Sequence, residues 1–315
     1  MSTITVKSRS STIKGFTEKA GTYSIASLHK KIAEQSRVPG EQIKLSVLDD
    51  SGKYQPLDIS DDLKSYFKPQ ELEGDVVIFA KDVGRQIAWK TVFIVEYLGP
   101  ILIHVLIYAA AYYILGVTQS STQKTAFYLA VLHFLKREYE TLFVHRFSNA
   151  TMPFFNLFKN SGHYWLLSGV LLSIFIYCHD VTTLDNASPL IKFLFHVNDL
   201  PPFINKALVA LWAYAEISNF ITHKNLAGIR SNDLKAYTIP RGYGFDVVAC
   251  PNYFFECLAW FAFALLVGNW SAWVFLAVSA GQMYIWALKK NKRLLQTFGD
   301  DYKKLRRAKF IPFLH

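Results

Sequence analysis

Cysteine is scarce in this chain, with three residues among 315, and no two of them form a CxxC pair. The three are Cys178, Cys250 and Cys257, an odd number, so a disulfide framework is not predicted. Structural zinc sites need four closely spaced Cys or His ligands, and the nine histidines are scattered along the chain. The sequence therefore predicts neither a disulfide-stabilised scaffold nor a metal site.

Several signatures of nucleotide-binding and hydrolytic sites are also missing. Gly242 and Gly244 form a GxG that lacks the third glycine and a preceding strand, which argues against a Rossmann fold. No P-loop, HExxH or GxSxG occurs, and no HxxxH or HxxHH cluster of the kind that holds a pair of irons. A redox cofactor in this chain would need a different kind of binding fold.

The sequence predicts no leader at the start of the chain. Residues 1–20 are polar and contain no apolar stretch, so a cleavable signal peptide is not predicted. The first apolar helix is expected to direct membrane insertion itself.

Apolar residues are abundant and lie in long blocks after residue 83. They make up 51% of the chain, and aromatic residues make up 16%. Blocks of about twenty apolar residues are long enough to cross a bilayer as helices. The predicted spans are Val92–Leu115, Ala126–Phe147, Tyr164–Cys178, Ile204–Ile221, Val247–Val267 and Ala272–Leu288. The third is short and is expected to be tilted, re-entrant or extended. The expected fold class is mainly α, a multi-pass bundle of about six transmembrane helices.

The formal net charge is +10, and its distribution predicts the orientation of this bundle. Basic residues are concentrated in the loops at Arg146–Gly162 and Lys224–Arg241 and in the tail after Leu288. Cytosolic loops carry such an excess of Lys and Arg. We therefore expect both termini and the active site to be cytosolic, and we attribute the charge to membrane orientation and not to nucleic-acid binding.

Residues 1–82 have the pattern of a soluble α/β domain, and residues 83–315 form the membrane domain. Ile4–Lys7 and Lys14–Lys19 indicate a hairpin, and Ser24 caps a helix with Ile25, Leu28 and Ile32 on one face. Strands at Ile43–Val47 and Val76–Phe79 follow. This β-β-α-β-β order resembles a ubiquitin-like β-grasp domain, here without a Gly-Gly tail or a catalytic cluster. A structural or docking role is expected.

Charged side chains inside apolar helices are costly and usually have a partner or a function. In the second span, His133, Lys136, Arg137 and Glu140 fall at i, i+3, i+4 and i+7, so they form one polar stripe. One interpretation is a Lys/Arg pair that reaches the interface and is neutralised by Glu140. The other is the cationic wall of a cofactor pocket, which the apolar residues beyond the charges favour.

Three further groups have the same two kinds of explanation. Glu96 lies alone in the first span, where it either pairs with a cation on another helix or is protonated. Glu216, Asn219 and His223 mark the polar end of the fourth span. The fifth span opens with CPNYFFECLAW, in which Asn252 and Glu256 share a face beside Tyr253. Interface anchoring or a polar site explains this last group equally well.

Several long motifs, in order along the chain, identify a family. They are LHFLKREYETLFVHRFSNATMP from Leu132, FNLFKNSGHYW from Phe155, IPRGYGFDVVACPNYFFE from Ile239 and the ending RRAKFIPFLH. The chain resembles the very-long-chain trans-2-enoyl-CoA reductases, of the fungal type, in the steroid 5α-reductase superfamily. The resemblance covers nearly the whole chain, including the ubiquitin-like domain.

The resemblance implies an endoplasmic reticulum membrane enzyme. Such an enzyme uses NADPH to reduce a very-long-chain trans-2-enoyl-CoA to the saturated acyl-CoA, the last step of the fatty-acid elongation cycle, which supplies sphingolipid synthesis. The implied partners are membrane lipids and the other enzymes of the cycle: an elongase, a ketoacyl-CoA reductase and a hydroxyacyl-CoA dehydratase. The superfamily binds NADPH in its helical bundle, which agrees with the missing Rossmann signature.

The resemblance also implies roles for individual residues. Tyr253 is the expected proton donor, and Lys136, Arg137, Glu140 and Glu96 are the other expected catalytic residues. The resemblance places Asn252 and Glu256 at the nicotinamide end of NADPH and Asn219, Arg230 and Tyr237 around its adenosine and phosphates. As cytosolic cations, Arg230, Arg241 and Lys290 are also candidates for the NADPH 2′-phosphate or the CoA phosphates, and His223 is a further cofactor-binding candidate. A hydride added to Cβ pushes charge onto the thioester oxygen, so the site needs a donor for the enolate and an acid for Cα.

Two alternatives remain open from the sequence. The first is a steroid or polyprenol reductase of the same superfamily. Phe134 stands where steroid reductases have a substrate-binding tyrosine, and His223 stands where they have an aspartate, so both residues argue against it. The second alternative is a non-catalytic membrane scaffold that recruits partners through its ubiquitin-like domain. It leaves the stripe of Lys136, Arg137 and Glu140 without a purpose.

Overall fold

The computed structural model describes residues 3–19, 24–49, 52–67, 74–147, 150–232 and 238–312. The chain is mainly helical, with its strands concentrated near the N-terminus. It forms two compact units. The first contains Met1–Ala88 and Thr151–Phe155, and the second contains Trp89–Ala150 and Asn156–His315.

The first unit is a small α/β domain whose main sheet has five described strands in the order β2-β1-β5-β3-β4. The parallel pair β1 and β5 lies at its centre, and the other neighbours are antiparallel. A second sheet pairs β6 with β7. The strands are β1 (Thr3–Ser8), β2 (Phe16–Lys19), β3 (Ile43–Leu48), β4 (Tyr54–Pro56), β5 (Val76–Asp82), β6 (Gln86–Ala88) and β7 (Thr151–Pro153).

One helix, α1 (Ile25–Ser36), covers this sheet, as its sequence predicts. The Ser24 side chain accepts a hydrogen bond from the Ser27 amide, which satisfies a free N–H of the first turn. Ile25, Leu28 and Ile32 are buried in one core with the inward-facing residues of the strands. Burying each of these side chains contributes about 1.5–3 kcal/mol, which is what holds the helix on the sheet.

The second unit is a bundle of helices. Those that follow α1 are α2 (Trp89–Tyr113), α3 (Ser121–Tyr139), α4 (Phe155–Gly162), α5 (Leu172–Tyr177), α6 (Pro189–Phe195), α7 (Pro202–Asn232), α8 (Pro251–Val267) and α9 (Trp270–Lys303). Two π-helical segments, Glu140–Val144 and His163–Leu171, continue α3 and join α4 to α5. Most residues of the predicted spans therefore lie on helical backbone.

Several helix boundaries differ from the predicted ones. α3 begins at Ser121 and its π-helical turn ends at Val144, and α7 continues past Ile221 to Asn232. α8 begins at Pro251, and residues 247–249 before it instead exchange backbone hydrogen bonds with Ala308 of the C-terminal tail. α9 continues past Leu288 through a charged stretch to Lys303, with a kink at Gly299. Hydropathy identifies only the apolar part of a helix, so it does not predict the charged extension of α9 after Leu288.

Two described helices, α2 and α9, are long and apolar enough to cross a membrane, and α8 is a shorter apolar helix. Many large apolar side chains of the second unit are exposed, among them Leu106, Phe143 and Phe203. A soluble protein seldom exposes so large an apolar surface, and we conclude that the chain is membrane-associated.

Buried polar side chains connect helical segments of the bundle through hydrogen bonds. His104 of α2 contacts the Tyr177 hydroxyl at 2.8 Å and the Ser168 carbonyl at 2.7 Å. Gln123 of α3 donates to the carbonyl of Ile176 at 2.7 Å. These bonds satisfy carbonyls where helical segments end, and they fix the relative positions of α2, α3 and α5.

Candidate active site

The polar stripe of α3 faces the interior of the bundle. His133 and Glu140 are buried, and Lys136 and Arg137 lie between them on the same face. α3 changes to a π-helical turn at Glu140. Such a turn changes the direction in which a helix projects its side chains and often occurs at functional sites. The stripe is therefore placed to meet residues from several neighbouring helices.

His133 lies between two carboxylates from different helices. Its Nδ1 is 2.6 Å from Oε1 of Glu216 on α7, and its Nε2 is 3.2 Å from Oε1 of Glu256 on α8. A carboxylate only accepts hydrogen bonds, so both ring nitrogens must donate, and the geometry is that of an imidazolium. His133 therefore joins three helices through charge-assisted contacts.

Lys136 is the second junction. Its Nζ donates to Oε2 of Glu216 at 2.9 Å and to Oδ1 of Asn219 at 2.5 Å, and it lies 3.3 Å from Oε1 of Glu140. The amide of Asn219 in turn donates to the backbone carbonyl of Asn252 at 2.8 Å. Lys136 thereby links α3 to α7 and, through Asn219, to the first turn of α8.

Arg137 completes the cluster on the side of α2. Its Nη1 donates to Oε2 of Glu140 at 2.7 Å and to Nδ1 of His223 at 3.1 Å, and its Nη2 donates to the Tyr97 hydroxyl at 2.8 Å. Nδ1 of His223 also lies 3.1 Å from Oε1 of Glu140. The guanidinium requires this nitrogen to accept and the carboxylate requires it to donate, so the two contacts compete for one atom. The pairing of both cations with Glu140 was one of the two predicted interpretations. The additional bonds to Glu216 and Tyr97 go beyond it.

The cluster is electrically balanced. His133, Lys136 and Arg137 face the carboxylates of Glu140, Glu216 and Glu256. Burying three charges of each sign is tolerable only because nearly every group has a close partner. One exception is Oε1 of Glu140, which accepts no hydrogen bond from the described residues.

Glu96 lies near this cluster but does not hydrogen-bond with its cations. It is buried on α2, its side chain interacts with Asn160, and its Oε1 has no hydrogen-bond partner in the described part of the chain. The sequence predicted that Glu96 either pairs with a cation or is protonated, and the amide of Asn160 is an additional neighbour that is compatible with both. A buried acceptor without a donor is a position where a ligand can supply one.

Tyr253 lies on a different face of α8 from Asn252 and Glu256. Its ring packs 6.2 Å from that of Trp286, and the ammonium of Lys290 lies 4.6 Å from its centroid. Successive residues of a helix point 100° apart. The structure therefore brings the predicted residues Tyr253 and Lys290 together, and it shows no hydrogen bond between Tyr253 and Arg137.

The other predicted residues are less defined. Arg241 is exposed, and its backbone carbonyl accepts from Asn225 at 2.9 Å. Tyr237 and the side chain of Arg230 lie outside the described residues.

Two tyrosines of the site were not predicted. Tyr97 receives the hydrogen bond from Arg137, and its ring packs edge-on against Tyr164 with 5.2 Å between centroids. Tyr164 belongs to the π-helical segment His163–Leu171. Both lie in apolar stretches without a polar periodicity. The one local signal was that Tyr97 directly follows the isolated charge of Glu96.

One group of described side chains has the spacing of metal ligands. Ligand atoms of Glu140, His145 and His223 lie within 4.8 Å of one another. The guanidinium of Arg137 already contacts two of the three, at 2.7 and 3.1 Å. A cation in that position opposes a second one electrostatically. We interpret the group as part of the ion-pair cluster.

Comparison with known proteins shows similarity to one group of reductases. The family described as 3-oxo-5-alpha-steroid 4-dehydrogenase matches residues 150–315. A putative enoyl reductase of Schizosaccharomyces pombe is 42% identical over 294 residues, which cover 92% of this chain and 91% of that protein. A very-long-chain enoyl-CoA reductase of Dictyostelium discoideum is 35% identical over 315 residues, 98% of each chain. A probable very-long-chain enoyl-CoA reductase of Caenorhabditis elegans is 31% identical over 311 residues, 94% of this chain and 92% of that protein.

Proposed function

We propose that this chain, which belongs to the very-long-chain enoyl-CoA reductase family of the steroid 5α-reductase superfamily, reduces a trans-2-enoyl-CoA to the saturated acyl-CoA with NADPH. The observation that carries the proposal is the buried cluster around Arg137, in a chain whose relatives bear the names of enoyl-CoA reductases. A non-catalytic scaffold has no need for six charges of which three are buried and three half-buried, since removing an ion from water costs several kcal/mol.

The cluster fits the nicotinamide end of a dinucleotide better than its phosphates. Its charges are balanced, so it offers no net attraction to a polyanion. It does offer carboxylates, which stabilise the positive ring that results from oxidation of the cofactor, and amide partners such as Asn219 and Asn252. We assign Asn219, His223, Asn252 and Glu256 to that end of the site.

NADPH supplies a hydride for Cβ of the thioester. The residues of the chain must then bind the enolate oxygen and protonate Cα. Arg137 and Lys136 are cations for the developing charge, Glu140 holds both of them, and Glu96 has a free acceptor atom beside them.

Tyr253 is our candidate for the proton donor. Support comes from Lys290, whose ammonium lies 4.6 Å from the ring centroid, close to the charge that proton donation leaves on the phenol. This neighbour differs from the predicted one, because Lys136 and Arg137 contact Tyr97, Glu140 and Glu216. We retain Tyr253 as the acid and infer that Lys290 is its cationic partner.

Cations on the polar side of the site are candidates for the phosphates. We assign Arg230, Tyr237 and Arg241 to the adenosine and phosphate groups of NADPH or CoA, whereas Lys290, predicted for the same groups, is assigned to Tyr253. Guanidinium groups suit phosphate because their parallel N–H bonds match two of its oxygens.

The membrane and domain assignments belong to the same proposal. We infer about six transmembrane spans over residues 83–315 and a cytosolic ubiquitin-like domain over residues 1–82. We place the enzyme in the endoplasmic reticulum membrane, with both termini and the active site cytosolic. There it would act with the elongase, ketoacyl-CoA reductase and hydroxyacyl-CoA dehydratase of the elongation cycle and supply sphingolipid synthesis.

A steroid reductase is the second candidate, favoured by the description of the matching family. Phe134 argues against it. This side chain is fully buried among the rings of Tyr97, Tyr164 and Trp260 and has no hydroxyl with which to bind a steroid ketone.

The direct test is cofactor oxidation by the purified protein with a very-long-chain trans-2-enoyl-CoA. We expect NADPH to be consumed, saturated acyl-CoA to form in equal amount, and NADH to react much more slowly. A 3-oxo-4-ene steroid in parallel tests the second candidate. Consumption of NADPH with the steroid but not with the enoyl-CoA would refute the proposal.

A further inference from the structure

The C-terminal tail is tied to the segment that leads into α8. Ala308 forms a parallel bridge with Val248, with hydrogen bonds of 2.8 Å to the Ala249 amide and 3.0 Å to the Val247 carbonyl. Phe310 is buried with Ala249 and with residues of α9. The tail and this segment therefore form one folded structure, and the residue just before Ala308 in the tail is Arg307.

Arg307 has an unusual environment for an arginine. Only 2% of its side chain is exposed. Its Nη1 donates to the Pro240 carbonyl at 2.7 Å, whereas Nε and Nη2 are buried and make no hydrogen bond with the described residues. Burial lowers the pKa of Arg307, although Tyr302 and Asp246 oppose that shift. A buried charged donor without an acceptor costs more than an ordinary lost hydrogen bond.

The two unsatisfied atoms are neighbours on the guanidinium. Nε and Nη2 together form one edge of the planar group, from which two parallel N–H bonds point in the same direction. This edge has the geometry that binds two oxygens of a carboxylate or phosphate at once. The bond from Nη1 to Pro240 fixes the plane of the group, so the free edge is already oriented.

The charges around this edge suit an anion that reaches it when the exposed neighbour Asp246 moves aside. Arg241 is near enough to act electrostatically on Arg307, so two cations meet here. The carboxylate of Asp246 lies 3.6 Å from Nη2, which is too far for a hydrogen bond. Asp246 is 65% exposed, so it can turn away when a stronger anion arrives. On the remaining side, the ring of Tyr302 lies 6.0 Å from the guanidinium.

We propose that the Nε–Nη2 edge of Arg307 binds a phosphate monoester of a substrate, either the 3′-phosphate of CoA or the 2′-phosphate of NADPH. The choice of these two ligands rests on the proposed function. The site is separate from the balanced cluster around Arg137, and it provides what that cluster lacks, a cation with unused donors.

The experiment measures binding by the full-length protein in detergent, and no turnover is needed. The change in tryptophan fluorescence gives the Kd for two pairs of ligands, CoA with 3′-dephospho-CoA and NADP⁺ with NAD⁺. The ratio within each pair isolates the contribution of the single phosphate. The variants are Arg307→Gln, Arg307→Lys, which keeps the charge but loses the edge, and Asp246→Asn, whose exposed position should not disturb folding.

In the wild-type protein we expect the phosphate to strengthen binding in one pair by about 10- to 100-fold, the range of hydrogen bonds to charged groups. Both Arg307 variants should bring that ratio close to one, and Asp246→Asn should raise it because a competing negative charge is removed. The pair that responds identifies the ligand.

Two results overturn the inference while the proposed function stands. In one, the wild-type protein binds CoA and NADP⁺, and the Kd ratios for CoA against 3′-dephospho-CoA and NADP⁺ against NAD⁺ are unchanged in the Arg307 variants. The other is an Asp246→Asn variant that loses the ratio as Arg307→Gln does, since Asp246 would then be the structural partner of the guanidinium. If the Arg307 variants do not fold, Asp246→Asn alone tests the inference: a larger Kd ratio than in the wild type supports it, and a smaller one overturns it. A wild-type protein that binds neither CoA nor NADP⁺ refutes the proposed function itself.

Discussion

His133 and Glu216 lie on different helices, α3 and α7, and 2.6 Å separates Nδ1 of the first from Oε1 of the second. The other oxygen of Glu216 accepts from Lys136 at 2.9 Å. One carboxylate thus pairs with two cationic side chains inside the bundle. Removing it leaves both without their closest carboxylate.

Replacing Glu216 by Gln should therefore destabilise the protein by about 3 kcal/mol, because breaking a buried ion pair leaves uncompensated charge. At this size, that corresponds to a fall in the thermal midpoint of roughly 6–12 °C. The measurement is thermal unfolding in detergent. Asp301→Asn is the control, since its contact with Lys304 is 3.9 Å long and 85% of the Asp301 side chain is exposed. Equal midpoints for the two variants would show that the pairing is not structural.

Arg137 is one of the two cations that we propose for the cofactor and the developing enolate. Arg137→Ala removes three hydrogen bonds and should raise the KM for NADPH by about 10- to 100-fold, the range expected for charge-assisted bonds. Arg137→Lys keeps the charge, but its side chain cannot contact Glu140 and Tyr97 together. Its KM for NADPH should therefore lie between those of the wild type and Arg137→Ala. An unchanged KM in the alanine variant would remove Arg137 from the cofactor site.

Two tyrosines compete for the role of proton donor, and their phenylalanine variants separate them. Tyr253→Phe should lower kcat by about 100-fold or more, the range of general acid catalysis, while NADPH binding stays the same. Tyr97→Phe removes only a partner of Arg137 and should act mainly on the KM for NADPH. The reverse pattern, with kcat lost in Tyr97→Phe and kept in Tyr253→Phe, would transfer the role to Tyr97.

Gly99 of α2 permits a close approach of Trp165. A Cβ at position 99 would lie 1.9 Å from Nε1 of Trp165, and this nitrogen donates to the Val95 carbonyl at 2.9 Å. Gly99→Ala should therefore destabilise the protein by about 1–3 kcal/mol through overpacking.

The matched control is Gly281→Ala on α9, where a Cβ meets no other atom within 4 Å. There the substitution should leave stability unchanged or raise it by up to about 1 kcal/mol, because alanine is the better helix former. Thermal unfolding of both variants tests the pair. Equal stability of Gly99→Ala and the wild type would contradict the close contact.

The sequence predicted the polar stripe of α3 because helical spacing alone decides which residues share a face. Lys136, Arg137 and Glu140 do contact a common set of partners. The identity of those partners was not predictable, because Glu216 and Tyr97 reach them through the packing of α7 and α2, and no local pattern encodes that packing.

Tyr253 shows a different limit. It is next to Asn252 in the sequence, and this adjacency suggested a common site. In the structure its ring is beside Lys290, whereas Asn252 is connected to Lys136 through Asn219. The start of α8, four residues later than hydropathy indicated, also depends on a distant segment, the tail at Ala308.

The central claim is that the bundle directs a hydride to Cβ of a conjugated thioester, and isotope transfer tests it most directly. The purified protein is incubated with a very-long-chain trans-2-enoyl-CoA and NADPH in which both hydrogens at C4 of the nicotinamide are deuterium, and the product is analysed by mass spectrometry. We predict one deuterium at Cβ of the saturated acyl-CoA, with a second one at Cα only when the solvent is D₂O. A saturated product without deuterium at Cβ, or no product with any enoyl-CoA, would contradict the account.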